Sequence, residues 1–134
     1  MKNILVVDDN RFILETLAGT LSRYLRNCNV LTASNGEKGA HLLRTMPIDL
    51  IISDLDIPLE DGYRFLEDAR RSYPAIPLCV MTGDCTPQVK EQLMAMGISR
   101  SIEKPFPFEE LARLISRELK LSRADLLHDA ADPS

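Results

Sequence analysis

Residues suited to metal and phosphate chemistry follow several short apolar runs of this sequence. They are Asp8, Asp9, Asp54, Asp56, Thr82, Asp84 and Lys104. Carboxylates about 4 Å apart repel by roughly 4 kcal/mol per pair at an effective dielectric constant of about 20, so a cluster of them requires a nearby positive charge. Oxygen ligands without soft partners favour a hard divalent ion such as Mg²⁺, and a lysine supplies a further positive charge. A metal ion and a lysine that face an aspartate and a hydroxyl can receive a phosphoryl group.

The apolar runs next to these residues predict the strands that position them. Each run is rich in Val, Ile or Leu and nearly continuous, which is typical of strands buried on both faces. Four runs are clear, and a weaker fifth follows Gly97: Ile4–Val7, Val30–Thr32, Leu50–Ser53, Leu78–Thr82 and Ser101–Glu103.

Helical patterns separate the strands. Leu14, Leu17, Leu21 and Leu25 form one apolar stripe, and Ser34–Glu37 has the pattern of a capping box for a helix that ends before Pro47.

Further helices are predicted to begin near Asp61, at Thr86-Pro87 and near Pro107, and Gly97 is expected to end the second of these. Strand and helix thus alternate five times, which predicts an α/β fold with a doubly wound parallel sheet and helices on both faces. Ligands of such sheets bind beyond the carboxyl ends of the strands, so the polar residues are expected to meet at one edge.

Length and composition restrict the class of protein. The 134 residues suit one domain, and a net charge of −4 gives no general electrostatic help in binding nucleic acid or anionic membranes. Three cysteines without a CxxC pair indicate reduced thiols. Since no apolar run approaches about 18 residues, we expect a cytoplasmic protein without membrane contact.

Four motifs together resemble the receiver domain of two-component response regulators. They are VVDDN at 6–10, SDLDIPLEDG at 53–62, VMTGD at 80–84 and EKPF at 103–106. The resemblance extends from about residue 2 to residue 120. It implies a flavodoxin-like sheet with strand order 2-1-3-4-5, a receiver domain over residues 1–121, and a tail or the start of a linker over residues 122–134.

The resemblance also implies a role for each site residue. Asp54 is expected to be the phosphoacceptor. Asp9 and the Asp54 carboxylate are expected to bind Mg²⁺ directly, together with the backbone carbonyl of Asp56, whereas Asp8 acts mainly through a metal-bound water. Thr82 is implied as the switch hydroxyl. Lys104 is implied as the cation that pairs with the phosphate, and its peptide bond to Pro105 as cis.

The implied function is a phosphorylation-dependent signalling switch rather than an enzyme with an external substrate. A sensor histidine kinase or phosphotransfer protein is expected to donate the phosphoryl group, and the chain is expected to catalyse only its own phosphorylation and dephosphorylation. An unidentified effector is expected to bind the face formed by the fourth helix, fifth strand and fifth helix.

The sequence departs from the family at two positions. Ser101 stands where receivers usually carry Tyr or Phe, so coupling from the site to the fifth strand is expected to be weak. Ala112-Arg113 stand one position away from their usual place in receivers that dimerise through this face. We therefore expect a monomer, or a weak dimer that depends on phosphorylation.

Two other functions are the alternatives to this interpretation. Asp54-Leu55-Asp56 resembles the nucleophile motif of haloacid-dehalogenase-like phosphatases, but those enzymes carry it on the first strand. The absence of an aromatic residue at position 101 fits a pseudo-receiver that is never phosphorylated.

The remaining candidates are expected to be solvated or packing residues: the side chains of Asp56 and Asp84, and His41, Cys85 and His128.

Overall fold

The computed structural model describes residues 1–55, 59–98 and 100–121, with residues 59–62 described by their backbone alone. The fold is a parallel five-stranded sheet in which a helix follows every strand. The strands are β1 (Lys2–Val7), β2 (Cys28–Ala33), β3 (Leu50–Asp54), β4 (Leu78–Thr82) and β5 (Arg100–Glu103). The helices are α1 (Arg11–Tyr24), α2 (Gly36–Thr45), α3 (Leu59–Ser72), α4 (Pro87–Ala95) and α5 (Phe108–Glu118).

The strands lie in the order β2-β1-β3-β4-β5, which confirms the predicted doubly wound topology. Their register aligns the carboxyl ends. Val7 pairs with Ser53, and Asp54 pairs with Met81. On the other side of β4, Thr82 pairs with Glu103, directly before Lys104. The residues that follow β1, β3, β4 and β5 are therefore brought to one edge of the sheet.

Alternate residues of the central strands enter two separate cores. Leu5, Ile51 and Val80 belong to the core that α2, α3 and α4 cover. Ile4 and Ile52 belong to the core that α1 and α5 cover. Because side chains alternate across a strand, a continuous apolar run fills both cores, as the sequence predicts. The edge strands β2 and β5 are exposed at several positions, so only β1, β3 and β4 match the expectation of strands buried on both faces along most of their length.

The helix boundaries correct the sequence predictions at three points. The N-cap of α2 is Asn35, whose side chain accepts a hydrogen bond from the amide of Lys38, so the capping box that begins at Ser34 is wrong by one residue. Helix α3 begins at Leu59, two residues before Asp61. Helix α1 ends at Tyr24, but Leu25 remains buried in the same core as its extended C-cap.

Two other boundary predictions are confirmed. Thr86 caps α4 by accepting a hydrogen bond from the amide of Val89, and Pro87 is the first helical residue. Gly97 follows α4 with φ at +79°, a left-handed conformation that glycine adopts without steric cost.

Candidate phosphoacceptor site

Three aspartates meet where β1 and β3 end. Carboxylate oxygens of Asp8, Asp9 and Asp54 lie within 4.8 Å of one another. Asp8 and Asp54 are buried, whereas Asp9 is exposed. The sheet topology brings the two buried carboxylates together, because β1 and β3 are neighbours whose carboxyl ends are aligned. The cluster joins residues 45 positions apart in the chain.

Lys104 supplies the positive charge that this cluster requires. Its Nζ lies 2.8 Å from Oδ1 of Asp54, and both side chains are largely shielded from solvent. The backbone amide of Lys104 donates to the carbonyl of Thr82 at 2.8 Å, so the pairing of β4 with β5 positions the lysine. The peptide bond between Lys104 and Pro105 is cis.

Asp8 carries an unsatisfied charge in this setting. Its Oδ1 accepts from the amide of Asn10 at 2.9 Å, while its Oδ2 is buried without a hydrogen-bond partner among the described residues. The pKa of Asp8 is raised to about 6, chiefly by burial; the hydrogen bond from the Asn10 amide opposes this rise, and the negative charge of Asp54 adds to it. A buried oxygen without a partner beside two other carboxylates is a donor set that fits a hard divalent cation.

Thr82, the last residue of β4, also lies at this edge of the sheet. The residue is buried, and its Oγ1 accepts a hydrogen bond from the amide of Asp84 at 3.1 Å. The hydroxyl can accept this bond and still donate its own proton. The turn after β4 thus holds the hydroxyl at the edge that Asp54 and Lys104 share.

The remaining candidate residues are distributed as follows. Asp56 and His128 lie outside the described residues. Asp84 is exposed and does not belong to the carboxylate cluster found among the described residues. His41 is exposed on α2, and Cys85 is half-buried with a free thiol.

An apolar pocket next to Lys104 is absent from the sequence-based predictions. Its volume is about 320 Å³, and one of its walls is Phe12 of α1, which is 75% exposed. The aromatic side chains of Phe106 and Phe108 are further walls, and Met81 of β4 is another. The spacing of the two phenylalanines around Pro107 was a signal for an aromatic surface, but only the fold brings Phe12 to them.

The sequence matches the family model of the response regulator receiver domain over residues 4–116. The chain belongs to this family. As a receiver domain it is a signalling module of two-component systems and not a conventional enzyme. No helix in the described part of this receiver domain has the length and apolar character needed to cross a membrane.

Relatives and solved structures agree with this assignment. The receiver domain is 29% identical to hybrid signal transduction histidine kinase D of Dictyostelium discoideum over 90% of this chain and 8% of that protein. It is 28% identical to a putative NtrX-like response regulator of Rickettsia conorii over 90% of this chain and 26% of that protein. The chain therefore spans about a quarter or less of the length of these curated relatives.

The solved structure of chemotaxis protein CheY4 of Vibrio cholerae superposes with a TM-score of 0.81 at 29% identity, and the match covers 89% of this chain and 99% of that one. The two proteins therefore share the fold over nearly the whole length of the solved structure.

Proposed function

We propose that this receiver domain accepts a phosphoryl group on Asp54 and passes the resulting change to a partner protein. The observation that carries the proposal is the contact of 2.8 Å between Lys104 Nζ and Asp54 Oδ1 inside a cluster of three aspartates. A lysine in this position offsets the negative charge of the aspartate cluster, and it is in place to pair with the added phosphate.

The donor we propose is the phosphohistidine of a sensor histidine kinase or a phosphotransfer protein. A carboxylate oxygen of Asp54 attacks phosphorus, the bond between phosphorus and the imidazole nitrogen breaks, and the imidazole leaves with the electron pair of that bond. Lys104 stabilises the negative charge on the phosphoryl oxygens during the transfer. The hydroxyl of Thr82 then donates a hydrogen bond to the phosphoryl group.

Asp9 and Asp54 would hold Mg²⁺ directly and Asp8 through a metal-bound water, with the backbone carbonyl of Asp56, outside the described residues, as a further ligand. When bound, the ion supplies positive charge that neutralises the phosphoryl oxygens and offsets the repulsion among the aspartates. The fit is supported by the buried Oδ2 of Asp8, which has no partner among the described residues.

The phosphodonor is a protein that we propose to dock at the pocket beside Lys104. Phe12, Phe106 and Phe108 provide an apolar surface that ends at the site lysine. An aromatic side chain exposed at the rim of an apolar pocket is typical of a protein-binding surface. A donor protein bound there would lie beside Lys104, whose Nζ contacts Asp54.

The output surface we propose is formed by α4, β5 and α5, and its effector is unidentified. Arg113 of α5 is exposed and available to such a partner. A monomer, or a weak dimer that requires phosphorylation, suits the departure of Ala112-Arg113 from the pattern of dimeric receivers. We also propose a cytoplasmic location, in which a kinase can reach the site, and residues 1–121 as the receiver unit.

The decisive experiment is intact-mass measurement after incubation with acetyl phosphate and Mg²⁺. We expect one phosphate per wild-type chain, none on Asp54→Asn, and one on the control Asp84→Asn. An equal adduct on Asp54→Asn would exclude Asp54 as the acceptor, and no adduct on the wild type would favour the pseudo-receiver. Sustained turnover of an external phosphate ester would favour a phosphatase, although the Asp54-Leu55-Asp56 motif follows the third strand and not the first.

A further inference from the structure

Helix α4 is held to the fold by few contacts. Leu93 is the single buried side chain of this nine-residue helix, all of which the structure describes, whereas α1 and α5 each bury three residues. Burial of apolar side chains provides most of the free energy that fixes a helix to its domain. Val89 adds a partly buried contact with the same core, so the position of α4 depends also on the hydrogen bonds that reach it from neighbouring elements.

One of these hydrogen bonds comes from α3. The hydroxyl of Tyr63 donates to Oε1 of Gln92 at 2.9 Å. Helix α3 is firmly packed, since it places Phe65, Leu66 and Ala69 in the core. Tyr63 thus joins α4, which buries a single side chain, to a helix that the core holds in place.

The other anchor leads to the phosphoacceptor site. The amide of Asp84 donates to Oγ1 of Thr82 at 3.1 Å, and Thr86 caps the first turn of α4 through the amide of Val89 at 3.2 Å. A change in the position of the Thr82 hydroxyl therefore acts on the segment of four residues that leads directly into α4. Tyr63 is bonded to α4 directly, and Thr82 is linked to it through the segment that leads into its N-cap.

We propose that the hydrogen bond between Tyr63 and Gln92 is a latch that holds α4 in its resting position and opens when the site is loaded. The groups are close to solvent, so water replaces the bond when it breaks and the net cost of opening is small. A weakly packed helix with one such bond has two accessible positions, and a movement of Thr82 selects between them. The opening step rests on the proposed function, but the latch itself does not.

Hydrogen exchange of the α4 amides tests the latch in the intact chain. Tyr63→Phe removes only the hydroxyl, and Gln92→Leu removes the acceptor from the other side. We expect both variants to speed exchange in α4 by about three- to tenfold without any phosphoryl mimic. Tyr73→Phe is the matched control, because Tyr73 packs against the same core and its hydroxyl makes no hydrogen bond to a described residue, and it should leave α4 unchanged.

Addition of beryllofluoride with Mg²⁺ tests the opening. We expect the wild type to reach the faster exchange of Tyr63→Phe, so that the difference between them disappears. Equal exchange of wild type and Tyr63→Phe before addition would overturn the latch, and a difference that persists after addition would overturn its opening by the site. Intact mass after acetyl phosphate reports separately on Asp54, so a failure of the proposed function is visible as a wild type that takes no phosphate.

Discussion

At the scale of single residues, the adjacent aspartates Asp8 and Asp9 have different environments. Asp8 is fully buried with one oxygen that lacks a partner among the described residues, while Asp9 is exposed to solvent. The charge on Asp8 is therefore costly when no cation is bound, and the charge on Asp9 is not. We therefore expect Asp8 to affect mainly the stability of the metal-free fold, and Asp9 to affect mainly the affinity for metal.

Replacing Asp8 with Asn should stabilise the metal-free protein. The amide keeps the oxygen that accepts from Asn10 and removes a buried charge that faces Asp54. We expect the free energy of unfolding to rise by about 1–2 kcal/mol in urea titrations with EDTA. The control Asp9→Asn, at an exposed position, should change it by less than about 0.5 kcal/mol. A loss of stability in Asp8→Asn would show that its charge is satisfied in the fold.

The affinity for Mg²⁺ should depend more on Asp9 than on Asp8. The resemblance to receivers makes Asp9 a direct ligand and Asp8 a ligand through water, and loss of a direct ligand weakens a hard-cation site more. We expect Asp9→Asn to lower the affinity by about tenfold or more, and Asp8→Asn to lower it less. Titration with Mg²⁺ followed by amide chemical shifts measures both, and equal affinity in wild type and Asp9→Asn would exclude direct ligation.

At the scale of secondary-structure elements, β4 and β5 are connected to the site in different ways. Thr82 at the end of β4 is bonded to the loop that enters α4. Ser101 of β5 is exposed on an edge strand and offers no ring that could move between two positions. A movement of Thr82 therefore has a direct route to α4 and only backbone pairing as a route to β5.

Beryllofluoride with Mg²⁺ should shift the amide resonances of residues 82–90 strongly and those of residues 100–103 weakly. The reason is that Thr82 is linked to β5 only through backbone pairing, and a movement transmitted in this way would have to deform the sheet. A Ser101→Tyr variant restores the ring and should at least double the response of β5. Equal shifts in β5 and in the loop after Thr82 in the wild type would show that coupling does not need the ring.

At the scale of the whole molecule, the pocket proposed for the phosphodonor and helix α4 of the proposed output surface lie on opposite faces of the sheet, while α5 borders both surfaces. The pocket formed with Phe12 lies on the side that α1 and α5 cover, and α4 lies on the opposite side. Both sides share the edge at which Asp54 and Lys104 meet. A donor and an effector can therefore address one site from two surfaces.

Replacing Phe12 with Ala should slow phosphotransfer from a protein donor by about tenfold, because an exposed aromatic anchor is lost. Phosphorylation by acetyl phosphate should keep the wild-type rate, since a small donor needs no docking surface. Met94→Ala is the matched control, as Met94 is 71% exposed on α4. The rates are measured by intact mass against time. An equal decrease with both donors would instead assign Phe12 to the site itself.

The sequence by itself determined the order of strands and helices and the gathering of Asp8, Asp54, Thr82 and Lys104 at one edge. It also predicted burial on both faces for every strand, which holds for β1, β3 and β4 but not for the edge strands. These features depend on local periodicity and on the geometry of parallel sheets, which act over a few residues or follow from topology.

Only the tertiary structure decided which residues of distant segments touch. Three contacts join segments that lie far apart in the chain, and no sequence pattern marks their pairing: Lys104 with Asp54, Phe12 with the walls of its pocket, and Tyr63 with Gln92. The lack of a partner for Asp8 Oδ2 among the described residues likewise depends on which groups the fold brings near it. The cap of α2 is a local correction: Ser34 and Asn35 are both residue types that cap helices, and in the structure Asn35 accepts a hydrogen bond from the amide of Lys38.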